Sequence, residues 1–128
     1  MLVKRRTRWR GVASVGATLL VFAVSCGSGS GTTRGPAPPG DVLLVARKNA
    51  WDKDRIDVPV GRDVTIVVDN QDKGIAHNIH FTSLPGRVAT KLENGVSYQT
   101  LTVRFDASGK YPYLCDLHPT MKGTAAAS

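Results

Sequence analysis

Beyond residue 40 the apolar residues recur at every second position, in short runs, and helical spacing is hard to find. In "DVTIVVDN" the side chains of Val64, Ile66 and Val68 share one face. In "SYQTLTVRF" Leu101, Val103 and Phe105 lie on one side, with Thr100, Thr102 and Arg104 on the other. That pattern suits a sheet buried on one face and gives a helical bundle nothing to bury. "DVLLVARK" (Asp41 to Lys48), a short strand opening at Arg55, "HNIHF" (His77 to Phe81) and "YPYLC" (Tyr111 to Cys115) extend the series. "YPYLC" reads as the last long strand, and Pro112 marks an edge or an irregularity there. Turn signals at Val60 to Asp63, Gly74, Gly86, Asn94-Gly95 and Gly109 divide the runs. Residues 83–96 read as one long loop. The expectation is an all-β fold, a Greek-key β-sandwich or barrel of about six to eight strands.

The segment before these runs has a different character. Lys4, Arg5, Arg6, Arg8 and Arg10 precede "GVASVGATLLVFAVSC" (Gly11 to Cys26), which carries no charge. A basic stretch followed by a short apolar one is the plan of an export signal, and it is short for a helix that spans a bilayer. Ala23-Val24-Ser25-Cys26 has the form of a lipobox, which makes Cys26 the expected lipidation site and membrane anchor. Cleavage elsewhere, or an uncleaved anchor, are the alternatives. "GSGSGTTRGPAPPG" (Gly27 to Gly40) follows, too poor in apolar side chains to order itself, and reads as a flexible tether. The expected division is therefore an export signal over 1–26, a tether over 27–40 and one folded domain over 41–128, lying outside the cytoplasm.

The formal charge of +7 comes mostly from that leader. From Gly27 onward, twelve Lys/Arg face ten Asp/Glu, and no basic run interleaved with aromatics appears. Nucleic-acid binding is excluded on that ground.

The chemistry gathers near the end. "YLCDLHPTMKG" sets Cys115, His118 and Met121 two residues apart from one another, in a chain with only three His, two Met and two Cys. Thiolate and thioether ligands favour copper, and imidazole suits it as well. Two His and one Cys in a trigonal set with a distant Met describe a blue-copper electron-transfer site. The second His must come from elsewhere in the fold, and His77 is the candidate. His80, three residues further along a strand, faces the other way. Structural zinc prefers four Cys/His ligands. A dinuclear copper centre needs a second loop Cys, and a multicopper oxidase needs more than three His, so catalysis is not expected. If Cys26 carries lipid, Cys115 has no disulfide partner; a Cys26–Cys115 bridge is the alternative.

The Val60-Gly61 turn before a strand ending in Asp69-Asn70, the His77-Asn78 pair and "GKYPYLCDLHPTMKG" together resemble the cupredoxins, the family of plastocyanin, amicyanin and pseudoazurin. The C-x2-H-x2-M spacing is the short-loop form, similar to that of amicyanin. The resemblance implies His77, Cys115 and His118 as equatorial ligands of one mononuclear type 1 copper ion, with Met121 axial. It implies that Asn78 hydrogen-bonds across to the ligand loop. The family usually has Thr or Ser after the Cys; Asp116 stands there, which calls that inter-loop bond into question and is expected to lower the reduction potential. His118 should lie nearest solvent, in a partner-docking rim that includes Leu117 and Pro119. The implied function is an exported, monomeric carrier of single electrons between transient redox partners. The rival is a copper-binding module for acquisition, buffering or delivery of the metal.

Overall fold

The computed structural model of the protein describes residues 35–128. The export signal, Cys26 and most of the tether lie outside the described residues. Those described form strands and turns, with no helix. In chain order the strands are β1 (Val42–Arg47), β2 (Ala50–Trp51), β3 (Arg55–Val58), β4 (Asp63–Asn70), β5 (Ala76–His77), β6 (His80–Phe81), β7 (Val88–Ala89), β8 (Glu93–Asn94), β9 (Ser97–Arg104), β10 (Gly109–Leu114) and β11 (Lys122–Ala127).

One sheet has the order β2-β1-β4-β9 and a second the order β3-β11-β10-β6-β7, while β5 and β8 form a separate ribbon. The pairs β1–β4 and β3–β11 are parallel, and the others are antiparallel. A parallel pair cannot be closed by a tight hairpin. Here the chain leaves β1, visits the second sheet at β3, and returns to the first at β4. The expected all-β sandwich is what forms.

The alternation decides which face is buried. Leu44, Val64, Ile66, Val68 and Val103 from the first sheet meet Ile56, Val58, Phe81, Tyr113, Ala125 and Ala127 from the second. Burying each large side chain contributes roughly 1.5–3 kcal/mol. Phe81 makes edge-on contacts with Phe105 and Tyr113, at ring separations of 5.5 and 5.7 Å, the arrangement the ring quadrupole favours. Val67 points away from this core yet is only 1% exposed. It is covered by the chain entering β1, since a Cβ on Gly40 would lie 2.6 Å from its Cγ2.

Three expectations need correction. "HNIHF" is not one strand: β5 ends at His77, Asn78 and Ile79 fall outside any strand, and β6 begins at His80. Asn78 and Ile79 are nonetheless fully buried, because their polar groups are satisfied across the loop rather than along a ladder. "YPYLC" is not the last strand; β11 follows it and pairs with both β10 and β3. The 83–96 loop carries β7 and β8, and the eleven strands outnumber the six to eight expected. Pro112 lies inside the sheet at β10, opposite Thr124. Its carbonyl accepts from the Thr82 N–H on the β6 side, where β6 has just ended. The missing proline N–H therefore leaves no rung unmade against β11.

Candidate metal centre

Four side chains converge at one end of the sandwich. His77 closes β5, and Cys115 follows β10 directly. His118 and Met121 sit on the short connection to β11. That connection is closed twice: Cys115 N–H donates to Met121 O at 3.0 Å, and Met121 N–H donates to His118 O at 2.8 Å. The indole Nε1–H of Trp51 donates to Met121 O as well, at 3.1 Å. Cys115, Met121 and Ala46 form a small buried cluster of their own with Trp51 packed on it.

The Cys115 Sγ lies 3.7 Å from His77 Nδ1 and 3.8 Å from His118 Nδ1. All three donor atoms lie within 4.8 Å of one another. Bonds of about 2.3 Å to sulfur and about 2.0 Å to nitrogen, opened by 120°, separate the two donors by about 3.7 Å; at the tetrahedral angle the figure is about 3.5 Å. The observed spacings of 3.7 and 3.8 Å are those of donors able to share one ion. His77 and Cys115 are fully buried and Met121 is 2% exposed. His118 is only part-buried, flanked by the exposed Leu117 and Pro119. Cys115 has no disulfide partner among the described residues.

The second ring nitrogen of His77 is held by a residue that the spacing did not single out. His77 Nε2 lies 2.9 Å from Asp72 Oδ2. The same carboxylate accepts the N–H groups of Lys48 at 2.6 Å and Asn49 at 2.9 Å. Lys48 and Asn49 both have positive φ, the two-residue hairpin turn between β1 and β2. Asp72 thus clamps that turn to the His77 ring and directs Nδ1 at the thiol. Burial alone would raise the Asp72 pKa, but the N–H groups of Asn49 and Lys48 and the His77 ring hold it below the ordinary carboxylate value. Gln99 fixes the backbone of the same residue, its Nε2 donating to His77 O at 2.9 Å. The sequence signal for Asp72 was present but faint: an Asp in a Gly-containing turn, between two strands, shortly before a His.

The doubt about the residue after the Cys is answered. Asp116 N–H donates to Asn78 Oδ1 at 2.9 Å, and Asn78 Nδ2 donates to Asp116 Oδ2 at 2.8 Å. The inter-loop connection is therefore made in both directions, with a carboxylate in the role of a hydroxyl. Asp116 also accepts from His80 Nδ1 and from Arg87, at 2.8 and 2.6 Å. Desolvation pushes its pKa up, while Asn78, His80 and Arg87 outweigh this and bring it to about 2. His80 is thereby tied to Asp116 rather than aimed at the thiol.

An all-β sandwich with two imidazoles, a thiol and a thioether gathered at one end defines the class: a β-sandwich whose mixed nitrogen and sulfur donors could hold a single metal ion. The sequence profile of the "Cupredoxin-like domain" family matches residues 16–127, and the chain belongs to that family. It is 32% identical over 111 residues to amicyanin-alpha of Methylorubrum extorquens, covering 84% of this chain and 90% of that one. Among solved structures it is similar to the dithionite-reduced auracyanin of the photosynthetic bacterium Roseiflexus castenholzii (TM-score 0.61, 21% identity, 68% of this chain and 95% of that one). It is similar also to the reduced Cu(I) form, at pH 4, of a mutant amicyanin (TM-score 0.57, 25% identity, 72% and 86%).

Proposed function

We propose that the protein is a type 1 copper protein that carries single electrons between redox partners, with no catalysis of its own. The observation that carries the reading is the thiol–imidazole geometry, in which both Nδ1 atoms stand close enough to Cys115 Sγ to share one ion with it. His77, Cys115 and His118 are the equatorial ligands and Met121 the weak axial one, in keeping with its burial beside Cys115. When bound, copper supplies a one-electron couple between Cu(II) and Cu(I). The chain's part is to hold the donors still. Asp72 and Gln99 fix His77 from two sides, and the Asn78–Asp116 pair fixes the loop that follows Cys115. Trp51 and the two backbone bonds keep the connection from Cys115 to Met121 short and closed. The partly exposed His118, between Leu117 and Pro119, offers the short path to a transiently docked partner.

The same reading takes the protein as exported, monomeric and anchored outside the cytoplasm through lipid on Cys26, in line with its basic, apolar and small-residue leader. Titration of the purified protein with Cu(II) tests the centre. Intense visible absorption that saturates at one ion per chain and vanishes in Cys115→Ser is expected. A colourless complex, or colour that survives the substitution, overturns it. Retention of copper through repeated reduction and reoxidation separates an electron carrier from a module that delivers the metal.

A further inference from the structure

A carboxylate follows Cys115 where a hydroxyl is usual, and the inter-loop role of that hydroxyl is already met by the exchange with Asn78. Asp116 nonetheless collects two further donors. His80 Nδ1 donates to its Oδ1 at 2.8 Å, and the Arg87 guanidinium donates to its Oδ2 at 2.6 Å. Both donors come from one hairpin. His80 opens β6 and Arg87 directly precedes β7, the two strands pairing His80 with Ala89 and Phe81 with Val88. The turn between them ends in Gly86, whose φ of 74° is left-handed and open to glycine at little cost. That turn delivers Arg87 to the carboxylate.

The position of this ion pair sets it apart. Among the described residues, the other pairs of a carboxylate with Lys or Arg are Lys53–Asp52, Arg55–Asp57, Arg62–Asp41 and Arg104–Asp106. None of these involves a residue next to a metal donor in the chain. Asp116 adjoins Cys115 itself. The Arg87 side chain is 65% exposed and that of Asp116 26%. So open a pair adds little to folding stability. Its charges still act on the thiol. With its pKa brought to about 2, Asp116 is ionised at neutral pH, and a negative charge beside the sulfur favours the oxidised metal. A guanidinium in contact with that carboxylate opposes it. The acid and the base, twenty-nine positions apart, together return the residue after the Cys to near neutrality.

We propose that Arg87 sets the reduction potential of the copper centre, acting through Asp116 by offsetting its charge beside Cys115. The proposal rests on the electron-carrier reading and adds a residue that touches none of the donors. Because Arg87 is the exposed partner, salt weakens its influence more than that of Asp116.

Voltammetry of the copper-loaded protein at about 10 mM ionic strength and about pH 8, above the ordinary imidazole range, tests it. Arg87→Gln should lower the midpoint potential, displacing the equilibrium with hexacyanoferrate(III) toward oxidised protein at least about threefold. Arg87→Lys keeps the charge and should recover most of that shift. In an Asp116→Asn background the effect of Arg87→Gln should fall to less than about half, because the carboxylate it offsets is gone. The gap between wild type and Arg87→Gln should narrow at least about twofold at about 0.5 M salt. Arg55→Gln removes the same charge from the Asp57 pair and should leave the potential in place. Urea unfolding of the copper-free protein should put the Arg87→Gln midpoint within about 0.5 M of wild type; a larger fall would make the pair structural and overturn the proposal. An unmoved or raised potential in Arg87→Gln, or an equal fall in both backgrounds or in Arg55→Gln, overturns it while leaving the electron carrier intact. A protein that forms no coloured centre overturns the carrier, and the tuning with it.

Discussion

Asn78→Ala removes the connection on which the candidate centre most depends. The Asn78 side chain is fully buried and makes three hydrogen bonds: to Asp116 Oδ2 at 2.8 Å, from Asp116 N–H at 2.9 Å, and to Thr90 O at 3.2 Å. The first involves a carboxylate and is worth about 1.5–3 kcal/mol, and each neutral bond about 1 kcal/mol. The variant should therefore lose about 3–5 kcal/mol, a large part of the 5–15 kcal/mol typical of a domain. Urea unfolding of the copper-free protein should show the midpoint falling by roughly 2 M at unchanged slope. A cycle with Asp116→Ala isolates the pair, and its coupling should be about 1.5–3 kcal/mol. A loss under about 1 kcal/mol, or two substitutions that simply add, would refute the argument that the carboxylate has taken over the inter-loop role.

Further outcomes follow from the same geometry. Gly123→Ala should cost about 1–3 kcal/mol, because its Cβ would lie 2.4 Å from the Tyr113 ring; a thermal melt at wild-type temperature counts against the packing described. Asp72→Asn keeps the shape but removes a negative charge beside His77, so the midpoint potential should rise in voltammetry, and an unchanged or lower value argues against the clamp. Asp116→Ser should likewise raise the potential, and a fall or no change would show that the carboxylate does not favour the oxidised metal. Asp41 accepts the Thr65 N–H and pairs with Arg62, and the first of these is the larger cause of its lowered pKa. A carboxylate with a depressed folded pKa stabilises above its unfolded value of about 3.9 and loses that stabilisation as pH falls below it. Asp41→Asn should accordingly flatten the fall of stability below about pH 4, and an acid limb of unchanged steepness would exclude that role.

Much of this was legible in the order of residues. β4, β9 and β10 were visible because Val, Ile, Thr and Tyr alternate there, and the donors because Cys115, His118 and Met121 stand at a fixed spacing that calls for one more His. β11 was not visible: "KGTAAA" contains little that favours a strand. It exists because β10 and β3 flank it, and Gly123 is small because Tyr113 lies across it. The break after His77 was hidden for a related reason. The run "HNIHF" fits a strand locally, and only Asp116, thirty-eight residues later, draws the Asn78 side chain out of the pattern. Asp72 escaped notice because its partners are two backbone N–H groups and a ring, none of which leaves a spacing to find. What could not be read was in each case tertiary, a side chain whose reason lies on another loop.

The separation of the donors along the chain has a consequence for how the protein matures. His77 and Cys115 are thirty-eight positions apart, and β9 and β10 must be laid down between them before they meet. A partly assembled chain therefore presents scattered imidazole and thiol groups instead of a pocket. The complete set of donors therefore exists only once the sheets have closed, and the appearance of colour would time that closing in a topology whose long-range pairings make it slow to form.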